Sequence, residues 1–227
     1  MTCQSGSSGK QSKAQGWMWS DLIEPWQACL ELAWEAYCDD CIPIGAVVTG
    51  PDGEILTRGR NRVFDNVKPG GVNGAALAHA ETEALRGLDL DAVDPHRCTL
   101  YTTTEPCPMC MGTFYMSGLR TLHFAARDPY AGSTNLLGTT WYLSRKPIKV
   151  SGPDRRLETI VVALFAEQDA HFHNEKFPAG VFWEMYKEAI PGGIELGLEL
   201  ARMDVLQGLR KRGATAREVM EFLSQVK

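Results

Sequence analysis

The sequence has no apolar run of the roughly 18 residues or more that a membrane-spanning helix requires. Residues 1–15 are rich in Ser, Gly, Gln and Lys and lack the apolar middle of a signal peptide. We therefore expect no association with a membrane and interpret residues 1–20 as a disordered N-terminal tail. The aromatic segment Trp17 to Trp19 is too short to span a bilayer but could pack on the domain that follows.

Basic residues are fewer than acidic ones, with 23 Lys and Arg against 28 Asp and Glu and a formal net charge of -5. This balance does not favour general nucleic-acid binding, although it leaves room for a local basic patch. The seven cysteines are odd in number and show no regular disulfide spacing, so we predict a cytoplasmic protein in a reducing environment. With 227 residues and 44% hydrophobic content, the chain is long enough for one core domain with an appendage, and no internal repeat is visible.

Two short motifs carry the chemistry: His79-Ala80-Glu81 and Pro106-Cys107-Pro108-Met109-Cys110. One imidazole and two thiolates are three protein ligands for zinc, and a catalytic zinc site keeps its fourth position for water or substrate. The Glu81 carboxylate, two residues after the histidine, is close enough to act on that water without binding the metal. A His-x-Glu motif followed by Pro-Cys-x-x-Cys is the signature of zinc-dependent deaminases.

Each of these residues has an ordinary interpretation when it is taken singly. A lone His79 is more often a core or surface histidine, Glu81 a solvated helix residue, and a Cys-x-x-Cys pair a redox pair, a disulfide or half of a zinc ribbon. The order and the short spacings together favour a catalytic zinc site. Cys38 and Cys41 form a second Cys-x-x-Cys, which we interpret as two unpaired thiols, with a peripheral metal site or a redox pair as the alternative.

Hydrophobic periodicity and turn signals predict an alternation of helices and strands. Predicted strands cover residues 44–49, 54–60, 99–103, 121–126 and 159–165. Predicted helices cover residues 21–38, 76–86, 107–117, 167–176 and 180–189, and two amphipathic helices follow from residue 194, the second opened by the capping box Thr215-x-x-Glu218. The first two strands form a hairpin and later ones are joined by helices, which indicates a mixed sheet with helices on both faces.

The chain is therefore expected to form an α/β fold with a helical extension. We predict a zinc-dependent deaminase domain over residues 21–178 and a C-terminal helical extension over residues 179–227. Residues 127–158 are rich in Gly, Pro, Ser and Thr; they are either a lid over the active site or an irregular surface connection.

Around the two motifs the sequence resembles the cytidine/deoxycytidylate deaminase superfamily. Residues 42–47, 59–62, 78–81 and 126–128 look like matching stretches of the tRNA wobble adenosine deaminases and the bacterial guanine deaminases. The resemblance covers about residues 22–175. It implies a three-layer α/β/α sandwich with a central five-stranded mixed sheet (cytidine deaminase-like), and commonly a homodimer.

The resemblance also implies roles for individual residues. Zn2+ is expected on His79, Cys107 and Cys110, with Glu81 as the catalytic acid and base. Substrate-binding residues are expected at Asn61, Ala80 and Asp128. The plain alternatives are a strand-end turn residue for Asn61 and a loop-capping aspartate for Asp128.

The expected function is hydrolytic deamination of a nucleobase, a nucleoside or a related aminated heterocycle, with purines favoured. One alternative is a tRNA adenosine deaminase, which needs a basic surface; the candidates for it are Arg58, Arg60, Arg62, Lys68, Arg145, Lys146, Arg155 and Arg156. The other alternative is a non-catalytic zinc-fold protein whose terminal helices bind a partner. Retention of Glu81 argues against it.

Overall fold

A computed structural model of the protein describes residues 17–65, 74–172 and 179–226. Most of the predicted N-terminal tail and the loop around residues 68–71 lie outside this description. The strands are β1 (Gly45–Thr49), β2 (Ile55–Arg60), β3 (Thr99–Thr104), β4 (Thr121–Ala126) and β5 (Lys149–Ser151). The helices are α1 (Glu24–Cys38), α2 (Ala80–Arg86), α3 (Pro108–Ser117), α4 (Glu158–Phe172), α5 (Ala179–Ala189), α6 (Pro191–Arg202), α7 (Val205–Lys211) and α8 (Ala216–Gln225).

The five strands form one mixed sheet in the order β2-β1-β3-β4-β5. Strand β1 is antiparallel to both β2 and β3, whereas β3, β4 and β5 are parallel to one another. The hairpin turns at residues 50–53, where Gly53 adopts φ +87°, a conformation that costs glycine little. The predicted five-stranded mixed sheet between helices is confirmed.

The predicted position of the fifth strand, residues 159–165, was wrong. Residues 159–165 belong to helix α4, and the edge strand is the short, exposed β5. The run Thr-Ile-Val-Val-Ala-Leu-Phe is apolar on every side because α4 is covered on one side by the sheet and along another by α6. A short apolar run of this kind cannot be assigned to strand or helix by periodicity alone. The described part of the helix predicted from residue 167 is the second half of α4.

Alternating side chains of the central strands define the two faces of the sheet. Ala46 and Val48 point into a smaller cluster with α2 and α3, while Val47 points into a larger cluster with α1 and α4. All three side chains are fully buried. This period-two alternation is expected for a sheet that is covered on both faces.

The helices after residue 179 share the larger cluster. Trp34 of α1 donates from Nε1 to the Ala214 carbonyl at 2.8 Å, and Gln207 of α7 donates to the Tyr37 hydroxyl at 2.8 Å. The predicted capping box opens α8, with Glu218 N–H donating to Thr215 Oγ1 at 3.3 Å. The described helices therefore pack against α1 and α4, and the predicted domain division at residue 178 stays a prediction.

Residues 17–20 differ from the predicted disordered tail. Trp19 is 8% exposed within a short 3-10 helix, Trp19–Asp21, and Trp17 donates from Nε1 to the Arg156 carbonyl at 3.0 Å. The aromatic segment packs on the domain because its indole rings find an apolar surface there. None of the helices in the described part of the chain has the length and apolar character needed to cross a bilayer.

Close contact between β2 and α2 positions the helix that carries Glu81. A Cβ on Gly59 would lie 2.3 Å from the Ala80 carbonyl oxygen and 2.5 Å from the Ala84 nitrogen, both of them backbone atoms of α2. Only glycine allows the strand to approach the helix so closely.

We expect Gly59→Ala to destabilise the protein by about 1–3 kcal/mol, because backbone atoms cannot make room for the methyl group. The matched control is Gly112→Ala in α3, where an added Cβ would meet nothing within 4 Å. That change should be neutral or stabilising, by up to about 1 kcal/mol, since alanine favours a helix. Chemical denaturation of the three proteins measures both effects, and equal stability of all three would contradict the close packing.

Candidate active site

Two helix N-termini present the predicted metal ligands. His79 is the N-cap of α2, with extended backbone angles, and Glu81 is the second residue of that helix. The helix predicted from about residue 76 thus begins later, at Ala80. Cys107 is the N-cap of α3, Pro108 is its first residue and Cys110 its third, as predicted. Proline suits the first helical position because its missing N–H would be unpaired there in any case.

The three predicted donor atoms lie together. His79 Nδ1 is 3.7 Å from Cys107 Sγ and 3.5 Å from Cys110 Sγ, and all three atoms lie within 4.8 Å of one another. A tetrahedral zinc ion bound at ordinary Zn–N and Zn–S distances separates nitrogen from sulfur by about 3.6 Å. The donor set therefore fits zinc in both chemistry and spacing. Among the described residues it is the one group of His, Cys, Asp and Glu side chains with such spacing.

The two thiols compete for ionisation. A hydrogen bond from Cys110 and one from His79 lower the pKa of the Cys107 thiol to about 4. The neighbouring Cys107 and burial raise the pKa of Cys110 well above its usual range. A divalent cation between the sulfurs would stabilise both as thiolates, which is a further way in which this donor set fits a metal.

Glu81 lies beside the donors and is 3% exposed. Its Oε1 accepts a hydrogen bond from Thr102 Oγ1 at 3.1 Å, and Cys110 Sγ is 3.3 Å from its Oε2. Burial raises the pKa of this carboxyl group. A carboxyl group with a raised pKa that faces the reacting centre can both accept and return a proton near neutral pH.

A cavity of about 540 Å³ opens in front of these residues and includes His79, Glu81 and Cys107 in its wall. Asn61, which follows β2, and Asp128, which follows β4, also line this cavity. A cavity of this size is typical of small-molecule sites.

Aromatic side chains from the two helices α4 and α5 form another part of the wall. Phe182 is at the centre of this cluster, with ring centroids 5.2 Å from Phe165, 4.7 Å from Tyr186 and 5.5 Å from Tyr130. Trp183 lies beside it at 5.9 Å. Flat rings of this kind provide stacking surfaces for a planar heterocycle. These residues were not predicted to belong to the site; the aromatic spacing in the predicted helix 180–189 was the available signal.

Asn61 has one group free for a ligand. Its Oδ1 accepts from the Val63 N–H at 3.0 Å, which is the predicted turn role. Its Nδ2 is buried and has no hydrogen-bond partner among the described residues, although the side chain lines the cavity. A buried unpaired donor is costly, so an acceptor on a bound ligand would stabilise it.

Asp128 caps its loop and also lines the cavity. Its carboxylate accepts from the N–H groups of Tyr130 at 3.0 Å and Ala131 at 2.9 Å, and the Tyr186 hydroxyl donates to it as well. Burial raises the pKa of this carboxyl group. Ala80 is fully buried against Gly59 and does not line the cavity. A substrate contact by Ala80 stays a prediction that would have to involve its backbone.

The segment 127–158 contributes only its first residues to the cavity wall: Arg127, Asp128, Tyr130 and Ala131. Further along, Tyr142 packs on Tyr115 of α3 with ring centroids 5.3 Å apart. This placement favours the surface-connection interpretation over the lid.

The second Cys-x-x-Cys motif is separate from the site. Cys41 is buried and donates to Asp65 Oδ1 at 3.2 Å, and burial raises the pKa of both its thiol and that of Cys38. Neither belongs to a metal-spaced group among the described residues. The arrangement favours two protonated, unpaired thiols.

The donor set, the adjoining buried carboxylate and the cavity fit a zinc site that is open to a small molecule. Residues 21–126 match the family model of the cytidine and deoxycytidylate deaminase zinc-binding region. A probable cytosine deaminase of Schizosaccharomyces pombe is 30% identical over 134 residues, which are 52% of this chain and 75% of that relative. The chain belongs to this family of zinc-binding deaminases, and zinc is the cofactor that the family implies.

Other relatives carry different names. A tRNA-specific adenosine deaminase of Bacillus subtilis is 35% identical over 100 residues, covering 42% of this chain and 56% of that relative. A guanine deaminase of Nitrosomonas europaea is similar in structure, with a TM-score of 0.51, 26% identity, and coverage of 69% of this chain and 89% of that one.

A further similarity covers only part of a longer relative. A tRNA(Ile)-lysidine synthase of Deinococcus radiodurans is 36% identical over 118 residues, which are 49% of this chain but 19% of that relative. The chain thus spans about a fifth of the length of that protein.

We expect the purified protein to bind one zinc ion per chain and Cys110→Ala to weaken zinc binding by more than about a hundredfold, because a direct ligand is lost. Cys38→Ala is the matched control, since it removes a half-buried cysteine of the other Cys-x-x-Cys motif. Elemental analysis measures the zinc content of each protein, and competition with a chelator measures its zinc affinity. Equal zinc retention by the two variants would contradict the assigned ligand set.

Proposed function

We propose that this protein is a zinc-dependent hydrolytic deaminase of a free nucleobase, a nucleoside or a similar small aminated heterocycle, with purines favoured. The observation that carries the proposal is the buried Glu81 carboxyl group, which lines the cavity beside the three donor atoms. The family and its cofactor support this class of reaction, and the finer part of the proposal concerns the substrate.

The residues that would hold zinc are His79, Cys107 and Cys110. When bound there, zinc supplies Lewis acidity that lowers the pKa of a coordinated water molecule. Glu81 takes a proton from the attacking water and delivers it to the ring nitrogen next to the amino-bearing carbon. It then takes the remaining proton from the newly added hydroxyl group and delivers it to the departing amino group. Water adds its oxygen to the ring carbon, the carbon–nitrogen bond breaks, and the products are a carbonyl compound and ammonia.

The charges around the cavity favour a small substrate without phosphate groups. Glu105 and Asp128 line the wall, and the Arg127 guanidinium is already paired with Glu158 at 2.7 Å. Phosphate contacts in proteins depend on available Lys and Arg side chains. A wall with acidic groups and a paired arginine favours neutral or cationic ligands.

The hydrogen-bonding groups favour a ring with both acceptors and donors on its edge. Asn61 Nδ2 offers a donor and the Asp128 carboxylate offers an acceptor, while the aromatic cluster around Phe182 offers stacking surface. A two-ring purine presents more surface for stacking than a single-ring pyrimidine and carries both kinds of group. These features support the preference for purines.

The tRNA-editing alternative has less support. Arg60 is 4% exposed and paired with carboxylates, and Arg62 and Arg156 are paired with Asp65 and Asp154. Several members of the predicted basic surface are therefore neutralised. This alternative, the homodimer and the cytoplasmic location stay predictions.

A panel of compounds tests the proposed function. We expect ammonia release from at least one of adenine, guanine, cytosine and their nucleosides, with a purine as the best substrate. The same assay with nucleoside 5′-monophosphates and with tRNA should give much lower rates, because acidic groups line the cavity. Preference for tRNA would support the editing alternative and contradict the proposal. Absence of release from every compound would favour the non-catalytic alternative.

Glu81→Gln tests the role of the carboxyl group. We expect kcat to fall by about a hundredfold to ten-thousandfold, since glutamine cannot transfer a proton, while zinc content stays at one per chain. Glu83→Gln is the matched control on the same helix, because Glu83 pairs with Arg86 and does not line the cavity. Turnover by Glu81→Gln at the wild-type rate would remove the basis of the assignment.

A further inference from the structure

Arg60 is a buried cation directly before Asn61, at the end of β2. Its Nε donates to Glu35 Oε1 at 2.9 Å and its Nη2 is paired with Asp39, so one carboxylate partner lies on α1 and another is the C-cap of that helix. A third, Asp65, lies in the segment that follows Asn61, 3.2 Å from Nη1. The guanidinium therefore joins α1, the end of β2 and the segment after it.

All five N–H donors of this guanidinium have an acceptor. Glu35 and Asp39 take one each, and the two oxygens of Asp65 take one from Nη1 and one from Nη2. The fifth is donated by Nη1 to the Asn61 carbonyl at 3.0 Å. Five is the full capacity of arginine, so no donor remains for a ligand. Whatever Arg60 does for the reaction must act through its neighbours.

Every polar atom of Asn61 except Nδ2 has a hydrogen-bond partner. Its N–H donates to the Ile44 carbonyl at 2.9 Å, its carbonyl accepts from Arg60, and its Oδ1 accepts from Val63. Nδ2 alone is left; it is buried and has no partner among the described residues, and Asn61 is one of the residues that line the cavity. Of these three hydrogen bonds, only the one from Arg60 comes from a side chain, and that side chain is also bound to Glu35 of helix α1.

Stability is a weak explanation for this arrangement. The side chains of Glu35 and Asp39 are 54% and 50% exposed, and ion pairs with exposed partners contribute little. Buried ion pairs can often be replaced by apolar groups without loss of stability. The planar five-donor fork instead defines geometry, which lysine cannot reproduce with its three donors.

We propose that Arg60 is a positioning residue that orients Asn61 Nδ2 toward an acceptor on the substrate. This inference rests on the proposed function, because it assigns Asn61 to binding of the deaminated ring. Arg60 does not touch the substrate, so its removal should affect only what Asn61 contributes.

A double-mutant cycle separates this role from a general structural one. Asn61→Ala should raise KM by about tenfold, the value of one hydrogen bond, with kcat changed less than about twofold. Arg60→Lys should raise KM by a similar factor in the wild-type background. In the Asn61→Ala background it should raise KM by less than about twofold, since coupled residues are non-additive. Any fall in Tm caused by Arg60→Lys should be equal in both backgrounds.

Asp65→Asn provides a second variant if Arg60→Lys does not fold, because Asp65 accepts from two of the five donors. Asp65→Asn should likewise raise KM in the wild-type background and raise it by less than about twofold in the Asn61→Ala background. Arg156→Lys is the matched control; Arg156 pairs with Asp154 outside the cavity wall, and KM should not change.

An additive cycle, with another tenfold rise in KM in the Asn61→Ala background, would overturn the positioning role while leaving the deaminase function intact. A wild-type protein that releases no ammonia from the panel would overturn the proposed function, and this inference with it.

Discussion

The structure depends on the meeting of two helix N-termini at one edge of the sheet. Helix α2 begins next to His79 and α3 begins next to Cys107, and the donor atoms of these residues lie 3.7 Å apart. Two thiols this close to each other need a cation if both are to be ionised, and the neutral imidazole beside them supplies a third ligand for it. The fold brings them together in spite of this cost, and the rest of the site is arranged around the same edge.

The sheet topology explains why the other polar groups meet there. Strand β1 is antiparallel to both β2 and β3, so β2 and β3 run in the same direction. Strand β4 is parallel to β3 and runs in that direction too. Their carboxyl ends therefore lie at a common edge, where Asn61, Glu105 and Asp128 follow the last residues of the strands. Ligand sites of α/β sheets commonly form outside the carboxyl ends of strands, since helices begin and chain direction changes there.

Local chemistry could be predicted from the sequence, whereas long-range contacts could not. The spacing of Cys107 and Cys110 places both sulfurs on the first turn of a helix, so neighbours in the chain determine that part of the geometry. The aromatic wall depends on how α5 returns to the sheet, which no local pattern encodes. The prediction of the fifth strand was wrong for the same reason. Residues 159–165 are apolar on the side that faces α6, and this coverage by α6 is a long-range contact that the local sequence does not reveal.

The predicted zinc ligands and the aromatic part of the cavity wall come from different parts of the chain. His79, Glu81, Cys107 and Cys110 all lie within residues 21–126, the part that matches the family. Asp128 and the aromatic side chains of α4 and α5 lie beyond it, yet they line the same cavity. Relatives named for cytosine, guanine and tRNA adenosine can share the first part because the reaction at an amino-bearing ring carbon is the same. Discrimination between rings needs contacts to their edges and faces, and the aromatic cluster around Phe182 comes entirely from residues after 126. The identity of the substrate must therefore be sought in the cavity wall, where Phe182 and Asp128 lie, more than in the zinc motif.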